Sequence, residues 1–200
     1  MNHLLNINTL TNRYFVMRHG KSLANQLELI VSSPENGVNS YGLHDQGRQE
    51  IIESVEASPE IADISLILSS DFQRARESAE IAHELLGCRE AIVFHKHLRE
   101  RFFGELELKS SEHYQTIWDE DGLDESHTKL GVESAEAVMD RTTTLITTLE
   151  SYFTEASFLL ASHGDVLQIL QAAFSKLPAS EHRSVPHLNT AEIRELTITL

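Results

Sequence analysis

The chain has 200 residues, a length typical of one domain, and 40% of them are hydrophobic, enough for a substantial core. Its 31 acidic and 16 basic residues give a net charge of −15, which argues against general nucleic-acid binding and against adhesion to anionic membranes. The single cysteine, Cys88, excludes an intrachain disulfide and is typical of a reducing compartment. With no apolar run of about 18 residues and a poor signal peptide at the N-terminus, we expect a cytoplasmic protein of one domain, residues 1–200.

Hydrophobic periodicity predicts strands and helices that alternate along the chain. The predicted strands cover residues 13–18, 64–68, 91–94, 158–161 and 191–200. The predicted helices cover 45–58 with Asp45 as N-cap, 71–86 with Ser70 or Asp71 as N-cap and Gly87 as the stop, 133–153, and 165–174. Residues 32–42 are predicted as a loop, and residues 98–131 as an irregular, acidic and partly helical stretch. The alternation predicts an α/β fold, a mostly parallel, doubly wound sheet with helices on both faces.

Chemically notable side chains follow several of these strands. Arg18-His19-Gly20 ends the first strand, Arg74 lies shortly after the second, and Ser162-His163-Gly164 ends the fourth. Glu100 comes after the third strand. Because the carboxyl ends of parallel strands meet at one sheet edge, where open α/β sheets bind ligands, we expect these side chains to converge there.

This set of residue types suits phosphoryl transfer. Arg18 and Arg74 each offer paired donors to phosphate oxygens, and their charge favours a neutral imidazole with the lone pair that a nucleophile needs. A Glu100 carboxyl whose pKa is raised by partial burial is suited to protonate the leaving alkoxide and then to activate water. Since the cations are supplied by the protein, we predict no metal and no other cofactor. His95 and His97 have metal-like spacing, but no carboxylate motif accompanies them.

The motifs resemble, in order, those of the histidine phosphatase superfamily, whose fold is phosphoglycerate mutase-like. Arg18-His19-Gly20 matches the signature tripeptide of that family, and Ser22 and Asn25 match the small hydroxyl and the asparagine that follow it. The other matches are Leu43–Gln49 with the "L-T-x-x-G-x-x-Q" helix start, Ser69–Ala75 with "S-S-D-L-x-R-A", Leu98–Gly104 with "L-x-E-x-x-x-G", Gly131–Ser134 and Arg141 with "G-E-S…R", and Ser162–Gly164 with the second-histidine motif.

The resemblance implies that His19 is the phosphorylated nucleophile and Glu100 the acid/base, with Arg18, Arg74 and His163 completing the phosphate pocket. It also implies contacts to the substrate from Ser22, Asn25 and Gly164, and a small helical and loop insertion at about residues 99–155, whose acidic part is a candidate lid. Lys21 and Arg99 lie beside these motifs and are candidates for binding a second anionic group of the substrate, as is Arg101.

Three functions remain open at this point. The favoured one is hydrolysis of a small phosphorylated metabolite, with a sugar phosphate as one candidate, because Arg99–Gly104 looks closer to the sugar-phosphate phosphatases of the family. A cofactor-dependent phosphoglycerate mutase is the first alternative, but such mutases usually have a longer insertion than the 63 positions from Glu100 to His163. A non-catalytic module that binds a phosphorylated ligand is the second alternative. Such modules usually lack one of the site residues, and none is lost in this sequence. Monomer and homodimer are both open.

Overall fold

The computed structural model describes residues 1–199 and contains a five-stranded sheet in the order β3-β2-β4-β1-β5. The strands are β1 (Arg13–Arg18), β2 (Leu66–Ser69), β3 (Val93–Phe94), β4 (Ser157–Ser162) and β5 (Ile193–Leu196). The first four strands are parallel to one another, and β5 pairs antiparallel with β1. The predicted mostly parallel sheet is therefore confirmed. The last strand is shorter than predicted, and Leu200 lies outside the described residues.

Helices connect the strands and cover both faces of the sheet. They are α1 (Leu23–Gln26), α2 (Pro34–Gly37), α3 (Asp45–Glu56), α4 (Gln73–Leu86), α5 (Tyr114–Asp121), α6 (Ala135–Tyr152) and α7 (Gly164–Phe174). Short 3₁₀ turns separate several of them, and α2 lies inside the segment predicted as a loop. No helix in residues 1–199 is both long enough and apolar enough to cross a membrane.

Two predicted helix caps were wrong. Helix α3 starts at Asp45, but its N-cap is His44, whose Nδ1 accepts a hydrogen bond from the Gln46 amide at 3.1 Å. Helix α4 starts at Gln73 after Phe72, without a capping side chain. The carboxylate of Asp71 forms two hydrogen bonds with Arg99 instead, so a tertiary ion pair has replaced the local cap.

The central strands bury both of their faces. Phe15 and Met17 of β1 pack in a core formed with α3 and α4, whereas Tyr14 and Val16 pack in a core formed with α6 and α7. Since successive side chains of a strand point to opposite faces, a continuous apolar run is what a doubly covered parallel sheet requires. The two layers of helices hold the carboxyl ends of β1, β2 and β4 at one edge.

The acidic stretch has a small core of its own. Phe103, Leu106, Ile117 and Val132 pack together with Ile30, which comes from the loop after α1. Helix α6, by contrast, packs in the main core. The segment before α6 is therefore attached to the loop after β1 and lies over the same sheet edge.

Candidate active site

The turn after β1 is held by close backbone packing. The Gly20 amide donates to Ser78 Oγ of α4 at 3.1 Å, and the His19 amide donates to the Ser162 carbonyl of β4 at 3.0 Å. A Cβ on Gly20 would lie 2.3 Å from the Gly47 carbonyl oxygen, and one on Gly47 would lie 2.0 Å from the Lys21 carbonyl oxygen. Both glycines let α3 approach the turn, and this contact fixes the backbone that carries His19.

The His19 side chain is buried, and each of its two ring nitrogens has one hydrogen-bond partner. Its Nδ1 lies 2.8 Å from the Gly20 carbonyl oxygen, which can only accept, so Nδ1 carries the ring proton. Its Nε2 accepts a hydrogen bond from Arg74 Nε at 3.1 Å. Burial, together with the charges of Arg74 and Arg18, holds the pKa of His19 well below its ordinary value. The imidazole is therefore neutral, and its basic lone pair is on Nε2.

The two predicted arginines both line the cavity with His19, and Arg74 also contacts its imidazole. Arg74 is buried, and its Nη2 donates to the Val31 carbonyl at 2.9 Å. Arg18 donates from Nη1 to the Leu188 carbonyl and lies 2.8 Å from His187 Nε2. These contacts fix the direction of both guanidinium groups and leave other N–H groups free.

The second histidine lies against the first. The rings of His19 and His163 have centroids 5.2 Å apart, and His163 Nε2 lies 2.9 Å from Ser70 Oγ. We assign the hydroxyl as donor to Nε2, which places the ring proton on Nδ1. Burial lowers the pKa of His163 well below its ordinary value, as does the charge of Arg74.

Glu100 completes the group at the sheet edge. Its Oε2 lies 3.6 Å from Arg74 Nη2 and 3.7 Å from His163 Nδ1, and its Oε1 accepts from the Arg101 amide at 3.0 Å. Burial raises the pKa of this carboxyl to about 7; the Arg74 charge opposes the shift and the Asp165 charge adds to it. Both protonation states are populated near neutral pH, as an acid/base requires.

Three buried donors in this group have no partner in the structure. They are Arg18 Nε, Arg74 Nη1 and His163 Nδ1. Buried donors are nearly always paired, and an unpaired donor costs about 1–3 kcal/mol. Three such groups from three strand ends around the His19 lone pair form a receptor for an oxyanion.

Arg18, His19, Arg74 and Glu100 line one cavity, which also includes most of the other predicted contacts. His163 is fully buried against His19 and does not itself line that cavity. The volume of the cavity is about 640 Å³, including the part open to solvent, and Ser22, Asn25 and Gly164 line it. Lys21 and Arg99 do not line it. Lys21 Nζ donates to Gln46 at 3.0 Å, and Arg99 forms its ion pair with Asp71. The structure thus brings the predicted phosphate-binding group together and places both extra cations elsewhere.

Several lining residues escaped the sequence analysis. They are Ala24, Leu29, Val31, Tyr114, Trp118, Asp165 and His187. Asp165 lies two positions after His163, so its closeness to the second-histidine motif could have identified it as a site residue. Tyr114 and Trp118 reach the cavity only through the packing of α5, which no local pattern predicts.

A buried ionic cluster supports the side of the cavity that Trp118 and Asp165 line. Arg101, expected near the surface or on a substrate, is fully buried and forms two hydrogen bonds with Asp121 at 2.6 and 2.7 Å. It also donates to Asp165 at 3.3 Å. His127 lies 2.8 Å from Asp121, and His182 Nε2 lies 3.5 Å from Asp165. The cluster ties α5 to α7 and fixes Asp165. Among residues 1–199, no group of three or more His, Cys, Asp or Glu side chains has an arrangement that would hold a metal ion.

With this geometry in place, the family is clear. The sequence matches the histidine phosphatase superfamily (branch 1) over residues 14–199. The chain therefore belongs to that superfamily, as the order of its motifs predicted.

Two relatives are each called probable phosphoglycerate mutase GpmB. The Erwinia tasmaniensis protein is 27% identical over 177 residues, which cover 84% of this chain and 77% of the relative. The Escherichia coli protein is 28% identical over 178 residues, with the same two shares.

Solved structures confirm the fold. The mycobacterial glucosyl-3-phosphoglycerate phosphatase in complex with VO3 superposes with a TM-score of 0.77 at 23% identity, covering 92% of this chain and 91% of that one. A putative alpha-ribazole-5'-P phosphatase from Escherichia coli superposes with a TM-score of 0.71 at 20% identity, covering 92% and 89%.

Proposed function

We propose that the protein hydrolyses phosphate monoesters of small metabolites through a phosphohistidine intermediate on His19. The observation that carries the proposal is the set of three unpaired buried donors around the neutral His19 Nε2. The phosphatase names of the structural neighbours above point in the same direction.

The first half-reaction transfers the phosphoryl group to the protein. Arg18, Arg74 and His163 bind the phosphate oxygens, and Arg74 Nε turns its hydrogen bond from His19 to an oxygen as the ester binds. His19 Nε2 attacks phosphorus, the bond between phosphorus and the ester oxygen breaks, and Glu100 gives its proton to the leaving oxygen. The arginines stabilise the charge on the transferring group.

The second half-reaction returns the protein to its starting state. Water attacks phosphorus, the Glu100 carboxylate takes the proton from that water, and the bond between phosphorus and Nε2 breaks. Inorganic phosphate leaves, and His19 is neutral again. The positive charges in this scheme come from the protein, so we propose that no metal ion takes part.

A phosphoglycerate mutase is the second candidate, because the two sequence relatives carry that name. Its substrates carry further anionic groups, a carboxylate and a second phosphate. Lys21 and Arg99, the candidate cations for such groups, bond to Gln46 and Asp71 instead and do not line the cavity, which favours hydrolysis.

The decisive experiment measures hydrolysis of p-nitrophenyl phosphate with EDTA present. We expect turnover by the wild-type protein and none by His19→Ala. A rapid quench of the wild-type reaction should trap an acid-labile phosphoryl group that His19→Ala does not form.

The matched control is His83→Ala on α4, whose ring lies outside the cavity and hydrogen-bonds to the Glu90 carbonyl. It should keep wild-type turnover. Full activity in His19→Ala would refute the nucleophile assignment, and mutase activity that depends on 2,3-bisphosphoglycerate and exceeds hydrolysis would favour the second candidate.

A further inference from the structure

The cavity continues beyond the phosphate-binding group as an aromatic and apolar surface. Tyr114 and Trp118 of α5 stack with centroids 5.4 Å apart and ring planes at 9°. Both line the cavity, as do Leu29 and Val31 from the segment after α1. A flat aromatic surface with aliphatic neighbours binds the apolar face of a ring better than it binds a charged group.

The charged residue in this region is an acid. Asp165 Oδ1 accepts from Trp118 Nε1 at 2.8 Å, and its Oδ2 accepts from Arg101 at 3.3 Å. Burial alone would raise the pKa of Asp165, but the hydrogen bond of His182 and the charge of Arg101 hold it below its ordinary value. The carboxylate therefore keeps its negative charge at neutral pH and repels a second anion.

Arg101 pairs with Asp165 but does not line the cavity, and no lining residue away from the phosphate-binding group supplies a cation that a second anion could bind. The permanent cations among the lining residues are Arg18 and Arg74, both beside His19. His187 also lines the cavity, but burial and the Arg18 charge lower its pKa, so it stays neutral. Arg183 lies over the Trp118 ring at 3.7 Å and is not part of the lining.

We propose that the region formed by Tyr114, Trp118, Leu29, Val31 and Asp165 selects phosphate monoesters with an uncharged, ring-bearing leaving group. It rejects leaving groups that carry a carboxylate or a second phosphate. Trp118 contacts the ring face, and Asp165 excludes the second anion. This inference rests on the proposed phosphatase activity and names the substrate class of the same site.

The test compares pairs of substrates in which one member carries one additional anionic group. Benzyl phosphate and 4-carboxybenzyl phosphate form one pair, and fructose 6-phosphate and fructose 1,6-bisphosphate form a second. Comparing the two pairs shows whether the preferred leaving group carries an aromatic ring or a sugar ring. We expect kcat/KM to be at least about tenfold higher for the less charged member of the preferred pair. A ratio near one or an inverted ratio in both pairs would overturn the inference.

Variants of Asp165 and Trp118, with controls, test which residue produces which part of the substrate preference. Asp165→Asn removes the charge and should reduce the ratio severalfold, whereas Glu105→Gln removes an exposed charge outside the cavity and should leave the ratio unchanged. Trp118→Ala should lower kcat/KM for benzyl phosphate about tenfold or more but change that for methyl phosphate little, and Trp118→Phe should restore most of the loss. An unchanged ratio in Asp165→Asn would remove Asp165 from the proposal.

The outcomes also separate this inference from the function on which it rests. If no ester in either pair, nor p-nitrophenyl phosphate, is hydrolysed, the proposed phosphatase activity itself fails. If p-nitrophenyl phosphate is hydrolysed through His19 but the more charged esters are preferred, only the assignment of the substrate class fails.

Discussion

The chemistry of the site depends on individual residues whose protonation is set by burial. Burial and two guanidinium charges keep His19 neutral, and burial raises the pKa of Glu100 to about 7. In water the imidazole would be partly protonated and the carboxyl fully ionised near neutral pH. The folded environment shifts both groups towards their neutral forms, which is the pair of protonation states that a proposed nucleophile and a proposed proton donor need at the same pH.

This assignment predicts a pH dependence with a definite sign. Glu100 must be protonated to act as the acid, so kcat/KM for an alkyl phosphate should fall as the pH rises through about 7, the pKa of Glu100 in the free protein. Steady-state rates between about pH 5 and pH 9 measure this limb. It should be weaker for p-nitrophenyl phosphate, since that leaving group needs little proton donation.

Two variants test whether the limb belongs to Glu100. Glu100→Gln should remove it, and Asp165→Asn should move it to lower pH, because the Asp165 charge raises the pKa of Glu100. Glu105→Gln, an exposed charge, should leave it in place. A limb that persists in Glu100→Gln would assign the proton donor to another group.

At the scale of elements, the position of His19 depends on how closely α3 approaches the turn after β1. Gly20 and Gly47 permit that contact, and Ser78 of α4 holds the Gly20 amide from another helix. The helix-start motif around Gly47 is thus explained by packing. The motif places no side chain in the cavity, but it supports the backbone of the turn that carries His19 into it.

Gly47→Ala should therefore impair both stability and catalysis. The added Cβ would lie 2.0 Å from the Lys21 carbonyl oxygen, and backbone at that contact must shift. We expect the free energy of unfolding to fall by about 1–3 kcal/mol, with a loss of kcat, both measured on the purified variant.

The control for this substitution is Gly122→Ala at the end of α5. There the nearest atom to an added Cβ is 3.5 Å away, and φ is −63°, so stability should be unchanged or slightly higher. Wild-type kcat in Gly47→Ala would show that the turn tolerates displacement of α3.

At the scale of the whole molecule, the net charge of −15 coexists with an oxyanion receptor because the charges are segregated. Arg18, Arg74 and Arg101 lie at or under one sheet edge. Many acidic residues lie on the surface, but some carboxylates join distant segments. Glu107 accepts hydrogen bonds from Ser32, Ser33 and Asn36, and connects the acidic stretch to the loop after α1.

Glu150 performs a similar role for the main core. It accepts hydrogen bonds from Thr11, Asn12 and Tyr14, and so connects α6 to the start of β1. Burial alone would raise the pKa of Glu150, but these hydrogen bonds hold it below its ordinary value. A depressed folded-state pKa stabilises the fold above the unfolded-state pKa of about 4.3, and that contribution is lost as the pH falls through the folded-state value.

The protein should accordingly lose stability in acid, and Glu150→Gln should lose less. The difference in free energy of unfolding between the wild type and this variant should be constant from about pH 7 to about pH 5 and should shrink as the pH falls further to about pH 2, measured by urea unfolding at each pH. Glu84→Gln, an exposed position on α4, is the control and should match the wild type throughout. A difference between wild type and Glu150→Gln that is constant over this whole pH range would show that the carboxylate does not titrate with folding.

The sequence by itself determined the sheet, its main helices and the family. Apolar runs bounded by turns predict buried strands, and the residues that end them, such as Arg18-His19-Gly20 and His163, are brought to one edge by the parallel topology. These features depend on local hydrophobic periodicity and on the rule that parallel strands place their carboxyl ends at one sheet edge. They can therefore be predicted from a single sequence.

Tertiary structure alone decided which other groups reach the site. Arg99 is adjacent to Glu100 in sequence but pairs with Asp71, and Arg101 is buried against Asp121, while Trp118 arrives from a segment with no motif. The direction of a long side chain depends on partners that folding brings from far along the chain. That is why the sequence predicted the groups that we propose to bind phosphate, whereas the aromatic side of the cavity emerged only from packing.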